Sequence, residues 1–270
     1  MPELPEVEVT RRGIAPLLDG AKITGIRLGK PLRWPLGCET EDLLGQKIHQ
    51  VRRRGKYLLL DLDQGILLIH LGMSGRLGFF YKEEPPSKHD HFDLVTSSGI
   101  LRLHDPRRFG AVVWAPSEQE GMGAKLLGHL GAEPLFVDFD VDAFINKLKK
   151  RHTAVKQVLL SGSIVVGVGN IYANEVLFLA RIDPRKDASK ISARKARALA
   201  DAIQQVLRQA IDDGGASLKD FRAVHGEYGL FQIHAKVYGR AKEPCTVCKR
   251  PIKMIQQGQR STYFCSYCQR

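Results

Sequence analysis

Tyr57-Leu-Leu-Leu-Asp-Leu-Asp-Gln-Gly-Ile-Leu-Leu-Ile69 consists of two short runs of branched residues parted by Asp63-Gln64-Gly65, a turn signal. Each run is too short for a helix and is bounded by turn residues, so the segment predicts two antiparallel strands. The same pattern recurs at Phe79-Phe80-Tyr81 and at Gly110-Ala111-Val112-Val113-Trp114, with Ser98-Gly99 as a further turn signal. Several strands at this spacing, all between residues 20 and 115, predict an antiparallel sandwich or barrel. A helix over residues 5 to 19 is expected to pack outside it.

Working outward, Gly131-Ala-Glu-Pro134 to Asp142 interrupts the strand pattern with Pro, Gly and acidic residues, and a domain boundary is expected there. Beyond it the period becomes helical. Leu199, Ile203, Val206 and Ala210 mark one face of a helix closed by Gly214-Gly215, and a shorter helix is expected from Thr153 to Leu160. From Val237 onward the chain turns to short, basic, cysteine-bearing segments. The fold class is therefore α+β and multi-domain.

Composition narrows the partner. Lys plus Arg number 41 against 29 Asp plus Glu, a formal charge of +12, which suits a polyanion better than a neutral metabolite. No run approaches a spanning helix, and the acidic start Met-Pro-Glu-Leu-Pro-Glu-Val-Glu8 is unlike the basic region of a signal peptide, so a cytoplasmic, membrane-free protein is expected. Four of the five cysteines form two C-x-x-C pairs, Cys245/Cys248 and Cys265/Cys268. This spacing suits two knuckles of a β-hairpin around one tetrahedral, structural Zn2+. Cys38 stands apart, with no role that its surroundings in the sequence supply.

Candidate chemistry begins at Pro2. With Met1 removed, its nitrogen is a secondary amine that titrates near ~8, well below a lysine at ~10.4, and attack on a carbonyl-like carbon yields a permanently cationic iminium. Glu3 lies beside it as an acid. A plainer role is also open: Pro2 permits methionine removal, while Pro5 and the acidic residues suit a helix start. Arg260 lies between the two cysteine knuckles, where its fork suits a phosphate. The stretch Val165-Val-Gly-Val-Gly-Asn-Ile-Tyr-Ala-Asn-Glu175 opens a helix after two glycines. It reads equally as a phosphate-binding helix start or as a glycine-permitted turn capped by Asn170. The clusters Arg52-Arg-Arg-Gly-Lys56 and Lys149-Lys-Arg-His152 point to an electropositive groove. Met73, Arg107 and Phe109 sit at strand ends or loops, where glycine-flanked apolar groups beside basic ones are suited to wedge into a base stack. His89 and His91 suit capping or a phosphate contact.

These motifs together resemble the bacterial formamidopyrimidine-DNA glycosylases along the whole chain: MPELPEVE, RRGKYLL, HLGMSGR, KHDH, DPRRFG, VVGVGNIYANE, LKDF, VYGR and the four-cysteine ribbon. The resemblance implies an N-terminal β-sandwich catalytic domain over 1-131, a helical domain with a helix-two-turn-helix over 132-236 and a zinc finger over 237-270, with duplex DNA in the cleft between domains. It implies a monomer that excises oxidised purines such as 8-oxoguanine and then cuts the strand at the abasic site. By motif, Pro2 is the nucleophile, Glu3 the assisting acid, and Lys56 and Arg260 contribute to phosphate binding and elimination. His89, Arg107 and Asn170 contact DNA, Met73, Arg107 and Phe109 fill the void, and Lys219 belongs to the loop over the flipped base. His152 departs from the family's usual lysine, which makes its phosphate contact pH-dependent. Two other readings compete: the sister endonuclease for oxidised pyrimidines, and a noncatalytic zinc-ribbon DNA-binding protein.

Overall fold

The computed structural model describes residues 1–216 and 234–270, so Lys219 lies outside the described residues. The chain separates into two compact units, dividing between His129 and Leu130; residues 213–216 return to the first unit.

The first unit opens with helix α1 (Leu4–Leu18) and then contributes eight strands: β1 (Ile23–Leu28), β2 (Ile48–Arg54), β3 (Tyr57–Leu62), β4 (Ile66–His70), β5 (Arg76–Phe80), β6 (Asp90–Thr96), β7 (Gly99–His104) and β8 (Ala111–Ala115). They form two antiparallel sheets, ordered β1-β6-β7-β5 and β2-β3-β4-β8. The strands expected from Tyr57–Leu60 and Ile66–Ile69 pair in register, Leu59 opposite Leu68. Gly65 at φ +74 makes the turn, and a Cβ there would lie 2.5 Å from the Ala115 carbonyl oxygen. Leu58, Leu59 and Leu60 are all fully buried, which explains why β3 reads as an unbroken apolar run: both of its faces are covered. Leu58, Leu60, Leu67, Ile69, Phe92, Leu94, Leu101 and Leu103 form a core shared by the two sheets. Helix α1 does not merely cover this sandwich, because its Val7, Ile14 and Leu18 belong to the same core. Helix α2 (Gly121–Leu127) packs against β8.

The second unit contains α3 (Val141–Lys149), α4 (Val155–Ser161), α5 (Asn170–Leu179), α6 (Ala193–Asp212) and the hairpin β9 (Lys253–Gln257) with β10 (Arg260–Phe264). In α6 the buried face runs through Leu199, Ile203, Leu207 and Ala210; the expected Val206 lies at its margin. The cause is register, since Leu207 follows Ile203 by four residues and falls closer to the centre of the stripe. Of the two readings left open for the start of α5, the Asn170 cap does not hold: Gly169 takes that position with extended backbone, and Asn170 is the first helical residue. Among the described residues, no helix is long and apolar enough to cross a membrane.

Candidate functional site

The N-terminal turn of α1 fixes Pro2 and Glu3. Glu3 is the N-cap residue and only 2% exposed, and its backbone N–H donates to Glu6 Oε2 at 2.7 Å. Glu6 is wholly buried, and its other oxygen accepts the Ala216 N–H at 2.7 Å. One buried carboxylate thus holds both the start of α1 and the chain just before residue 217. With Met1 attached, Pro2 is buried as well, so these two residues lie side by side at the covered start of α1. In the processed chain the N-terminal end of the helix dipole disfavours a protonated Pro2 amine.

Lys56 sits in the turn between β2 and β3. Arg53, 5% exposed at its side chain, donates to Gly55 O at 3.0 Å and to Glu8 Oε2 at 3.1 Å, so α1 and this turn are tied together. Arg11 bonds the Glu8 carboxyl and holds it below its ordinary range against the opposing effect of burial. Next to Lys56 lies His70, whose ring packs 4.7 Å from Tyr57 and whose Nδ1 accepts the Gly72 N–H at 3.1 Å. Burial, reinforced by the Lys56 and Arg33 charges, pushes His70 down to about 4 from its ordinary 6.5. The imidazole is therefore neutral at pH 7, adding no positive charge beside Lys56. As pH falls below 6.5, the unfolded chain binds a proton that the folded chain refuses. His70 thus withdraws stability from 6.5 down to about 4, at most about 3 kcal/mol. His70→Asn, whose amide oxygen can still take the Gly72 N–H, is expected to flatten the decline of Tm between pH 7 and pH 5 relative to wild type. An unchanged pH profile would assign the acid sensitivity elsewhere.

Met73, His89, Arg107 and Phe109 come together on three loops of the first unit. Pro106 through Phe109 are exposed, Phe109 by 44%, and the Arg107 guanidinium lies 5.0 Å from the Phe109 ring centre. Arg108 between them is held at φ 55, an unusual conformation for a side chain of its size. His89 stacks edge-on to His91 and His104, and His104 Nδ1 bonds Asp90 Oδ1 at 2.8 Å. His91 itself is buried, unlike an exposed phosphate contact.

In the second unit, Asn170 begins α5 with its Oδ1 buried and, among the described residues, without a hydrogen-bond partner. His152 is exposed ahead of α4. Arg260 is exposed at the first position of β10, on a hairpin anchored by groups that sequence reading passed over. Lys156, fully buried, donates to Ser261 O at 2.8 Å and Thr262 Oγ1 at 2.7 Å. Asn174 Oδ1 accepts the Tyr263 N–H at 2.7 Å, and Glu175 accepts the N–H groups of Lys236, Val237 and Tyr238. A lysine inside the buried helix face of Val155, Val158 and Leu159 was the available signal.

The four ribbon cysteines converge, with all four sulfurs within 4.8 Å of one another. Cys245 and Cys268 Sγ are 3.9 Å apart, and Cys248 and Cys265 Sγ 3.4 Å. Tetrahedral zinc at a Zn–S distance of about 2.3 Å requires sulfurs about 3.8 Å apart, so the donor set fits one structural zinc ion. Burial and the neighbouring thiols push Cys268 up to about 12 in the absence of a cation, which a divalent ion reverses. Cys245 and Cys265 also pack with Phe178, Val237 and Ile252, so the metal site doubles as a small core. Cys38 packs at the edge of the first unit's core, and its thiol is raised by burial.

Residues 1–112 match the family described as the formamidopyrimidine-DNA glycosylase N-terminal domain, residues 130–222 its H2TH domain, and residues 242–270 a zinc finger found in FPG and IleRS. A formamidopyrimidine-DNA glycosylase of Variovorax paradoxus is 58% identical over the full length of both chains. Two solved structures cover this chain completely with a TM-score of 0.91: a Lactococcus lactis FPG mutant with Fapy-dG-containing DNA, at 35% identity, and MutM with carbocyclic 8-oxo-G-containing DNA, at 36%. In each case the cover of the other chain is also 100%.

Proposed function

The chain belongs to the formamidopyrimidine-DNA glycosylase family and is a bifunctional DNA glycosylase and AP lyase; from that premise we propose that Pro2 is its nucleophile and oxidised purines its substrates. The observation that carries the assignment is the Pro2-Glu3 pair, buried at the start of α1 and braced by Glu6.

In this reading the neutral Pro2 nitrogen of the processed chain bonds C1′ of the damaged nucleotide as the bond from C1′ to the oxidised base breaks, and the Pro2 N–H proton leaves with the base. Glu3 delivers a proton to O4′ as the sugar ring opens, leaving an iminium between Pro2 and C1′. That cation acidifies the C2′ hydrogens. Loss of one expels the 3′ phosphate by β-elimination, and a second elimination expels the 5′ phosphate. Water then hydrolyses the iminium and frees the amine. Lys56 and Arg260 supply cations for the phosphates that leave.

His89, Arg107, His152 and Asn170 hold the DNA backbone, Met73, Arg107 and Phe109 occupy the space vacated by the extruded nucleotide, and Lys219 belongs to the loop over the flipped base. The working modules are then 1-131, 132-236 and 237-270, acting on chromosomal DNA in the bacterial cytoplasm. Bound zinc keeps the ribbon folded; four thiolate ligands leave it no open position for water. Strong net positive charge and the exposed Arg107 and Arg260 support the DNA contacts.

Borohydride trapping tests the reading. With a duplex carrying 8-oxoguanine opposite cytosine, reductant is expected to yield a covalent protein–DNA adduct whose mass maps to Pro2. An adduct only with oxidised pyrimidines would place the chain's preference with that of the sister endonuclease. No adduct on any lesion or abasic site would remove the amine mechanism.

A further inference from the structure

The loops that carry Met73, His89, Arg107 and Phe109 meet at one buried carboxylate. Asp105 is 0% exposed. Its Oδ1 accepts the Ser74 hydroxyl at 2.8 Å and the Arg107 N–H at 3.3 Å, and its Oδ2 accepts the Gly110 N–H at 2.7 Å. Its own N–H donates to His89 O at 2.8 Å, while its carbonyl accepts the Arg108 N–H at 3.2 Å. The backbones are also in direct contact. A Cβ on Gly72, which has φ +63, would fall 2.4 Å from the Phe109 carbonyl carbon, and one on Gly110 would fall 3.0 Å from Asp105 Oδ2.

We propose that Asp105, acting through Ser74, is the positioning residue that locks these three loops into one preformed edge, so that Met73, Arg107 and Phe109 enter the DNA stack together. This rests on the void-filling role proposed above for those three side chains. A charged acceptor buried among N–H and O–H groups makes strong hydrogen bonds because nothing else there solvates it. Those bonds supply what exposed loop residues lack, a single geometry before DNA arrives. Arg108, held at φ 55, is bracketed by bonds to the same residue, which fits a turn whose shape is imposed by its surroundings.

The consequence is selective. Extruding a nucleotide that bears a base costs unpairing and unstacking, whereas an abasic site has little of that to offset. Loosening the edge should therefore harm base excision more than cleavage at a preformed abasic site. Ser74→Ala severs the bridge between loops, and Asp105→Asn replaces one of the two acceptor oxygens by a donor NH2, so either the Gly110 N–H or the Arg107 N–H loses its acceptor. In single-turnover assays, Ser74→Ala is expected to slow 8-oxoguanine excision about tenfold, and Asp105→Asn more, with abasic-site cleavage changed less than about threefold. The rise in emission of 2-aminopurine placed beside the lesion, which reports unstacking on insertion, should shrink in the same order.

Equal slowing on both substrates would make Asp105 a general structural residue and overturn the proposal. So would a Ser74→Ala protein indistinguishable from wild type; this variant decides alone if Asp105→Asn does not fold. Trapping of wild type on the abasic duplex separates the levels. With a Pro2 adduct present, a null Ser74→Ala result sinks this proposal only, whereas no adduct sinks the catalytic reading and this proposal with it.

Discussion

Acylating Pro2, either by retaining Met1 or by an N-terminal tag, is expected to slow 8-oxoguanine excision at least about a thousandfold, equivalent to about 4 kcal/mol of transition-state stabilisation. An amide nitrogen has no available lone pair with which to attack C1′. Pro2→Gly should lie between the two extremes, since a primary amine can still form an imine but must protonate it. Duplex affinity should change by less than about threefold in both proteins, because phosphate contacts dominate it and Pro2 is not among them. Single-turnover kinetics with anisotropy titrations check both halves. Excision that survives acylation would assign the nucleophile elsewhere, and lost affinity would mean that the N-terminus mainly shapes the DNA-binding surface. Pro2 is buried and begins the turn that Glu6 braces, so a melting curve should accompany Pro2→Gly.

Removing the metal, by chelation or by Cys265→Ser, is expected to unfold the ribbon and weaken duplex binding by about a hundredfold or more. Structural zinc supplies roughly 10–16 kcal/mol of apparent binding free energy in small finger domains, most of which is folding energy. Here the loss would spread. Cys245 and Cys265 pack with Phe178 on α5, and unfolding β10 withdraws two acceptors, Ser261 O and Thr262 Oγ1, from the fully buried Lys156 ammonium. Depriving a buried cation of partners costs about 3–5 kcal/mol in comparable cases, so the second unit should melt at a lower temperature as well. Zinc content by atomic absorption, expected at one ion per chain, anchors the comparison. A zinc-free protein with full affinity would show that the ribbon is dispensable for DNA.

Much of this molecule is legible in one dimension because its signals are local. The β3–β4 hairpin was readable because a branched run, a Gly-containing turn and a second run need only their own neighbours to pair. The cysteine knuckles were readable because two ligands three residues apart already fix half of a tetrahedral site. Val206 falls at the margin of its stripe, and Asn170 follows the cap instead of forming it, for equally local reasons. A periodic stripe leaves its centre ambiguous by one residue, and a side chain suited to capping does not cap if the neighbouring glycine takes the extended conformation first.

By itself the sequence determined the chemistry on offer: a proline amine with an acid beside it, four thiol ligands, a surplus of cations, and apolar runs of strand and helix period. Only the tertiary structure decided which polar residues support that chemistry. Glu6 joins residues 3 and 216, Asp105 gathers loops carrying residues 74, 89 and 110, and Lys156 reaches residues 261 and 262. In the sequence each is one more charged residue. A charge becomes structural only when burial removes water and leaves distant backbone and hydroxyl groups as its solvent, and that exchange is set by chain segments that meet only once the fold is complete.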